Sequence, residues 1–366
     1  MAIYSDKIVT FAGDNMSVYE SFRDYFNHYK SQNYGSKVTF DTSKDLVQKE
    51  EAINKALFSE IERVSQVSNI GNLPMASFAM NPNVIWATFA VIGAMIDMVL
   101  PETIIEDTGL YTEVRVGDWG DSFSFDVQPR DLFLVSKHGR GRRKVESTKQ
   151  FRGQVNVIPE AREITVQVSL YRVLCGKESL AEFAIKAIRS IETQMAYDCY
   201  VAFNTAMNNL PTTPSNTALK VTGAFDQGTL VDLATKVSAW NGGMKPIVVG
   251  TKAALAKVLP ANANYRYDIQ SDYVKVGYIQ TISGYDTLEL PQVADWENPF
   301  ATLLDDDKLY IIAPQSKPVK LCIEGNTLSN TTNHFDNANL QSDTTMIKSW
   351  GTAIATSSVA ALYVLQ

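Results

Sequence analysis

The sequence predicts an α+β chain organised around a long extended hairpin and one unusually long helix, and three observations carry that reading. Apolar and polar residues alternate across Glu113–Leu170: first at Val114 and Val116, then at Phe123, Phe125 and Val127, and again at Ile164, Val166, Val168 and Leu170. Between the halves lies the polar tip Lys137-His138-Gly139-Arg140-Gly141-Arg142-Arg143-Lys144. Period-two alternation on both sides of a Gly-punctuated tip is the pattern of a two-stranded hairpin. The second observation is a helical stripe from Leu180 to Asn208. The third is a run of short strands and helices after Gly223, which reads as a small mixed α/β unit.

Arms such as Val114–Arg130 and Arg152–Leu170 would reach roughly 55–60 Å at about 3.3 Å per residue. An isolated two-stranded ribbon is marginally stable in water, so it needs a surface to lie on. A neighbouring copy of the same chain is the economical choice.

Residues 1–43 are rich in aromatic residues (Phe22, Tyr25, Phe26, Tyr29, Tyr34) without clear periodicity, which reads as an arm docked on the rest of the protein. From Ser43 to Val67 the spacing of Leu46, Ile53, Leu57, Ile61 and Val64 predicts a helix, ended at Asn69–Pro74. Val84–Leu100 is almost wholly apolar but contains Gly93 and Asp97 and is short of the about 20 residues of a membrane span. It reads as a buried helix stopped by Pro101, with no membrane partner.

Ser179 and Glu182 have the spacing of a capping box at the head of the long helix. Leu180, Phe183, Ala184, Ala187, Ile188, Ile191, Met195, Cys199, Ala202, Phe203 and Ala206 keep one face apolar, and Pro211 and Pro214 close it. Its length would be roughly 43 Å at 1.5 Å per residue. Residues 211–223 form a linker. Helices follow at Gly228–Ala239 and Thr251–Leu259, with strands at Pro246–Val249, Val274–Ile282, Thr287–Leu290 and Lys308–Ala313. Val319–Glu324 reads as a returning strand and Asn326–Thr345 as a loop or edge hairpin. Ile354, Val359, Ala361 and Val364 suggest a closing strand near the long helix.

The composition is that of an ordinary globular chain: 366 residues, 45% hydrophobic and 20% charged. A net charge of −7 argues against a dedicated nucleic-acid binder. Cys175, Cys199 and Cys322 have no ligand-spaced pairing and read as buried small residues. Ala2–Thr10 carries Asp6 and lacks the apolar core of a signal peptide. The histidines are His28, His138 and His334, none at metal spacing with another ligand, and no hydrolase elbow, zinc motif or dinucleotide loop occurs. Gly176–Ser179 and Gly250–Lys252 lack the earlier glycine of a phosphate loop. Asp305-Asp306-Asp307 could gather a divalent cation, but consecutive residues point in different directions and a solvated turn is the better reading. No catalytic, metal or cofactor residue is assigned. The candidate contact residues are those of the basic tip: Lys137, Arg140, Arg142, Arg143, Lys144, Lys149 and Arg152. Pairing with acidic groups of another subunit and simple solvation are both open for them. Nucleic-acid binding is the weaker reading, because only Phe133 and Phe151 flank the tip.

This order of elements resembles the major capsid proteins of tailed bacteriophages, the HK97-type fold. Val99-Leu-Pro-Glu102 resembles the connector before that family's extended loop, and Glu178-Ser179-Leu180 the point where the loop rejoins the peripheral domain. Pro246–Thr251 resembles the axial domain's strand-helix element, and Asp307–Ile312 running to Val319–Glu324 the strand that leaves it. The resemblance implies the following division. Residues 71–110 are a buried helix and connector and 111–172 the extended hairpin, while residues 1–70, an N-terminal arm and helix, match no element of that family. Residues 173–222 are the spine helix and peripheral domain, 223–318 the axial domain, and 319–366 the peripheral return strands.

The resemblance further implies pentamers and hexamers of the chain in an icosahedral virion shell assembled in the host cytoplasm. It implies weak, non-specific contact with packaged double-stranded DNA, and decoration or scaffolding proteins as accessory partners. Some relatives crosslink a hairpin lysine to a neighbour's asparagine. Here Lys137, Lys144 and Lys149 and the asparagines at 326, 330, 333, 337 and 339 read instead as polar loops. The rival readings are an encapsulin-like cellular nanocompartment shell, a nucleic-acid-binding module and a metal-dependent hydrolase.

Overall fold

A computed structural model describes residues 8–11, 14–34, 38–68, 81–109, 111–127, 153–168, 179–213, 217–259, 276–290, 292–293, 298, 300–313, 317–331, 342–355 and 358–366. It is a mixed helix-and-sheet architecture, the class expected from the sequence. A short hairpin, β1 (Ile8–Phe11) and β2 (Asp14–Ser17), leads into α1 (Val18–Tyr34). Helices α2 (Leu46–Ser65) and α3 (Pro82–Thr108) follow. The aromatic residues read as an arm belong to α1: Phe22, Tyr25 and Phe26 are buried, and Tyr29 packs beside them. Their spacing of three and four residues is a helical face directed into the main core. Lys49 is wholly buried on α2, where its ammonium meets Asp24 of α1 at 2.6 Å and the carbonyl oxygen of Asp41 at 2.5 Å.

Helix α3 runs through Pro101 and is not stopped by it. Proline removes one backbone hydrogen bond, at a cost of about 3 kcal/mol. The flanking Val99, Leu100 and Ile104 are buried, and the Thr103 hydroxyl donates to the Leu100 carbonyl at 3.1 Å, so packing on both sides holds the helix together. Pro82–Glu106 is long and apolar enough to cross a membrane, with mean hydropathy 1.9 over its most apolar 18 residues, yet 67% of those 18 are buried within the fold.

The predicted ribbon is divided. Strands β3 (Thr112–Gly117) and β6 (Glu160–Val168) lie at opposite edges of a four-stranded sheet, ordered β3-β12-β13-β6 with β12 (Val319–Thr331) and β13 (Ser342–Ile354) between them. Among the described residues of the predicted ribbon, β4 (Phe123–Val127) and β5 (Gly153–Val157) pair as a two-stranded ribbon, from Phe123↔Val157 to Val127↔Gly153. Two breaks redirect the arms: a turn at Asp118–Ser122 with Gly120 at φ +86°, and Pro159, which cannot donate to a ladder. The alternation at Val114, Ile164 and Val166 therefore serves the face of the sheet that packs on the core.

Strand β12 continues past Glu324 across a bulge, and Leu328–Thr331 is ladder opposite β13, so of the loop or edge hairpin read over Asn326–Thr345 the paired-strand alternative holds in these residues.

Helix α4 (Leu180–Asn208) begins and ends where the sequence predicts. The Ser179 hydroxyl accepts from the Glu182 amide at 3.3 Å, and Asn54 of α2 reinforces the cap by accepting from the Ala181 amide at 3.1 Å. Beyond it, β7 (Lys220–Gly223), α5 (Gln227–Trp240), β8 (Ile247–Thr251), α6 (Lys252–Ala256), β9 (Thr281–Ile282), β10 (Tyr285–Leu290) and β11 (Lys308–Ile312) build the α/β unit. The closing strand β14 (Ala361–Leu365) joins this unit, between β7 and β11 in the six-stranded order β7-β14-β11-β8-β10-β9. Alternation then splits its two faces. Leu309, Ile311, Ala361 and Tyr363 pack with α5, whereas Tyr310, Ile312 and Leu362 belong to the main core.

Cys199 and Cys322 are buried and unbonded, while Cys175 lies outside the described residues. Burial pushes the Cys199 thiol up to about 12.

If α1 is part of the core and not a docked arm, truncating its most buried ring should weaken the whole subunit. Phe22→Ala should cost about 3–5 kcal/mol, read as a lower urea midpoint of the global transition. An unchanged midpoint would show that α1 contributes nothing to the cooperative core.

Candidate assembly surface

No groups of three or more His, Cys, Asp or Glu residues positioned to hold a metal ion occur among the described residues. Asp305 and Asp306 go to different partners. Asp305 accepts from Asn204 of α4 at 2.9 Å and from Lys308 at 2.7 Å, and its amide donates to the Tyr200 hydroxyl at 2.9 Å. Asp306 accepts from the Thr251 hydroxyl and from Gln292. Burial pushes the Asp305 carboxyl up, but Lys308, Tyr200 and Asn204 together outweigh it and hold it below the ordinary carboxylate value. Burial also raises the phenols of Tyr200, to about 12, and of Tyr310, so both remain neutral hydrogen-bonding groups. The acidic run is the turn before β11 that the sequence predicts, with Asp306 exposed, and Asp305 in addition staples it to α4.

The surface with unsatisfied character lies where the ribbon leaves the four-stranded sheet. Odd-numbered residues of β12 (Val319, Leu321, Ile323) enter the main core, so even-numbered ones face the opposite side. There Cys322 joins Phe123, Phe125 and Val157 in a small cluster with Ala353 at its edge. Around it, Lys320 meets Glu113 at 2.5 Å, and the Arg115 guanidinium lies 4.4 Å from the centre of the Phe125 ring. That is all the apolar cover the ribbon has among the described residues. Val116, Trp119 and Ile158 at its base are exposed, Ile158 to 81%.

Trp119 sits on the β12 bulge. Gly325 there has φ +59°, and a Cβ on it would lie 2.1 Å from the indole nitrogen of Trp119, so only glycine fits. The Gly120 amide donates to Glu324 at 2.8 Å, tying the turn to the same bulge. From inside, the Lys348 ammonium donates to the Gly325 carbonyl and to Asp97 of α3, each at 2.6 Å. Asp97 also accepts from the Thr327 hydroxyl and amide, at 2.6 and 2.8 Å. A crevice of about 410 Å³ opens beside this network, between Pro101 of α3, the turn after β3 and the bulge.

The basic residues singled out from sequence (Lys137, Arg140, Arg142, Arg143, Lys144, Lys149 and Arg152) lie outside the described residues, as do His138, His334 and the asparagines at 333, 337 and 339. Sequence reasoning passed over Trp119, Gly325 and Lys348, and took Asp97 only as a charge that speaks against a membrane span, not as the lone charge in an apolar helix that marks a buried partner.

The chain matches, over residues 39–362, the family described as "SPbeta prophage-derived putative capsid protein YonB". It belongs to that capsid protein family. Comparison with curated protein sequences gives no match. Solved structures similar to it include the capsid of a native GTA particle, at 12% identity and TM-score 0.49, covering 72% of this chain and 90% of that one. The mature capsid of bacteriophage PhiM1 aligns at 10% identity and TM-score 0.47, over 70% and 86%. Mycobacterium phage Che8 aligns at 13% identity and TM-score 0.43, over 67% and 84%. A phage capsid family is what the sequence resemblance implies.

The Glu113–Lys320 pair at that base gives a pH dependence. Burial raises the Glu113 carboxyl, but Lys320 and Arg115 outweigh it, so its folded value is depressed. A depressed acid stabilises fully above its unfolded value, about 4.3, and loses that contribution as pH falls through the folded value. The melting-temperature gap between wild type and Glu113→Gln should therefore be widest near neutrality and close below about pH 4. A gap independent of pH would show that the pair contributes nothing.

Proposed function

We propose that this chain is the major capsid protein of a tailed bacteriophage or prophage, a structural subunit of HK97 type with no catalytic role. Copies assemble as pentamers and hexamers into an icosahedral shell around double-stranded DNA. The observation that carries this reading is the capsid family match over residues 39–362.

The physical character of the subunit agrees with it. A long helix stapled at several points makes a stiff body, and a ribbon with few internal apolar contacts needs a neighbour's surface. Closed shells repeat one contact set many times, so modest contacts suffice through avidity. A subunit of net charge −7 suits an inner face that touches DNA weakly and without sequence preference. The shell is the virion capsid, assembled in the host cytoplasm, and its outer surface can take decoration or scaffolding proteins.

Electron microscopy of the purified chain tests the reading. Hollow closed particles are the expected result, and persistent monodisperse monomers of 40.5 kDa across assembly conditions would overturn it. Deleting Ser136–Gln150 should leave a soluble, folded subunit that builds defective shells or none. Normal shells from the deletion would show that this segment is not an assembly element.

A further inference from the structure

The one histidine among the described residues sits in a place that suits only its neutral form. His28 lies half-buried on α1, and its ring stacks on Phe40 of the connector at 38–45, with ring centres 4.3 Å apart and planes 13° apart. Its Nδ1 is closed off from solvent and has no hydrogen-bond partner among the described residues. A neutral imidazole bears this at modest cost, because its proton can rest on Nε2 and leave Nδ1 a bare lone pair. An imidazolium carries N–H on both nitrogens, and one of them would be buried without an acceptor.

The charges around the ring do not rescue the cation. Lys49 of α2 is wholly buried and places its ammonium 5.6 Å from the centre of the Phe40 ring. Three carboxylates also face the histidine: Asp24 on α1, and Asp41 and Asp45 on the connector. Asp24 is already matched by Lys49, at 2.6 Å, and accepts from the Asp41 amide at 2.7 Å. Asp41 accepts from the Ser43 amide and hydroxyl, at 2.9 and 2.7 Å, and Asp45 is exposed, so water screens it. Burial, with the Lys49 ammonium, outweighs the three acids and holds the imidazole below its ordinary value of 6.5.

We propose that His28 is an acid-sensitive clasp: neutral, it holds the 38–45 connector down on α1 and α2, and protonated, it lets that connector lift. The connector closes over Lys49, whose ammonium donates to the Asp41 carbonyl as well as to Asp24. Lifting it lets water reach the imidazolium and parts it from a second cation. The device does not depend on the shell reading. A base whose folded value is lowered stabilises fully above its unfolded value, about 6.5, and that contribution is lost as pH falls from there through the folded value. The clasp is therefore closed at neutral pH and loosens below about pH 6.5.

Hydrogen–deuterium exchange of the whole chain, corrected for the intrinsic pH dependence of exchange, tests it. The Asp41 amide donates to Asp24 and the Lys49 amide to the Asp45 carbonyl, at 3.0 Å, so peptides over 38–50 report the clasp, and peptides from α4 report the fold at large. From about pH 7.5 to about pH 5.5, exchange over 38–50 should rise about threefold or more while α4 stays unchanged. His28→Phe keeps a ring on Phe40 but cannot take a proton, and should abolish that rise. His28→Gln, smaller and likewise neutral, should do the same. No rise in the wild-type chain, an equal rise in α4, or a rise that persists in either folded variant would overturn the clasp.

Discussion

Everything in the subunit hangs on α4, because it is longer than any single core it could pack into. A helix of 29 residues spans roughly 43 Å. Burying its whole apolar face needs several other elements arranged along it, and the fold supplies them in sequence. Asn54 of α2 holds its start, and Lys30 of α1 meets Glu192 at 2.9 Å near its middle. The indole of Trp350 in β13 donates to Asp198 at 3.0 Å, and Asp305 closes the far end against the α/β sheet. Each staple is partly or wholly buried, so each is stronger than a surface pair and costly to break on one side only. The two sheets and the helical layer thereby become one body.

That rigidity explains where adaptability is left. The four-stranded sheet is braced on one face by α3 and α4. Its other face carries the sparse cluster of Phe123, Phe125 and Val157 under the ribbon. Between the two stands the β12 bulge, held from inside by Lys348 and from outside by Trp119. At Gly325 a left-handed backbone and an indole in contact coincide, which fixes the residue there as glycine.

Local signals were legible and distant ones were not. The limits of α4 could be read because a capping residue and a uniform apolar stripe agree with each other. Helix α1 carried an equally regular pattern in Phe22, Tyr25, Phe26 and Tyr29, but aromatic residues are weak helix formers and their density suggested a docked arm. Pro101 misled for the opposite reason: a strong local breaker was overruled by burial on both sides. The ribbon failed at the level of pairing. Alternation marks a strand correctly but does not name its partner, and β3 and β6 each found one more than 150 residues away. The carboxylates at 305 and 306 were invisible as staples because their partners on α4 and β8 lie far off in sequence.

The distribution of polar contacts separates the subunit's two tasks. Charges that hold the fold are paired and sunk: Lys49 with Asp24, Lys348 with Asp97, Lys30 with Glu192. Buried pairs of this kind lose several kcal/mol when one partner is removed, so they suit contacts that must never open. Asp118 and Asp121 of the turn at the ribbon base are exposed and form no ion pair among the described residues, and exposed pairs are worth at most about 1 kcal/mol each. A contact that weak can be made, broken and remade while a shell closes, which lets misplaced subunits leave. Strength then comes from the number of copies, and a folded subunit need not be sticky alone.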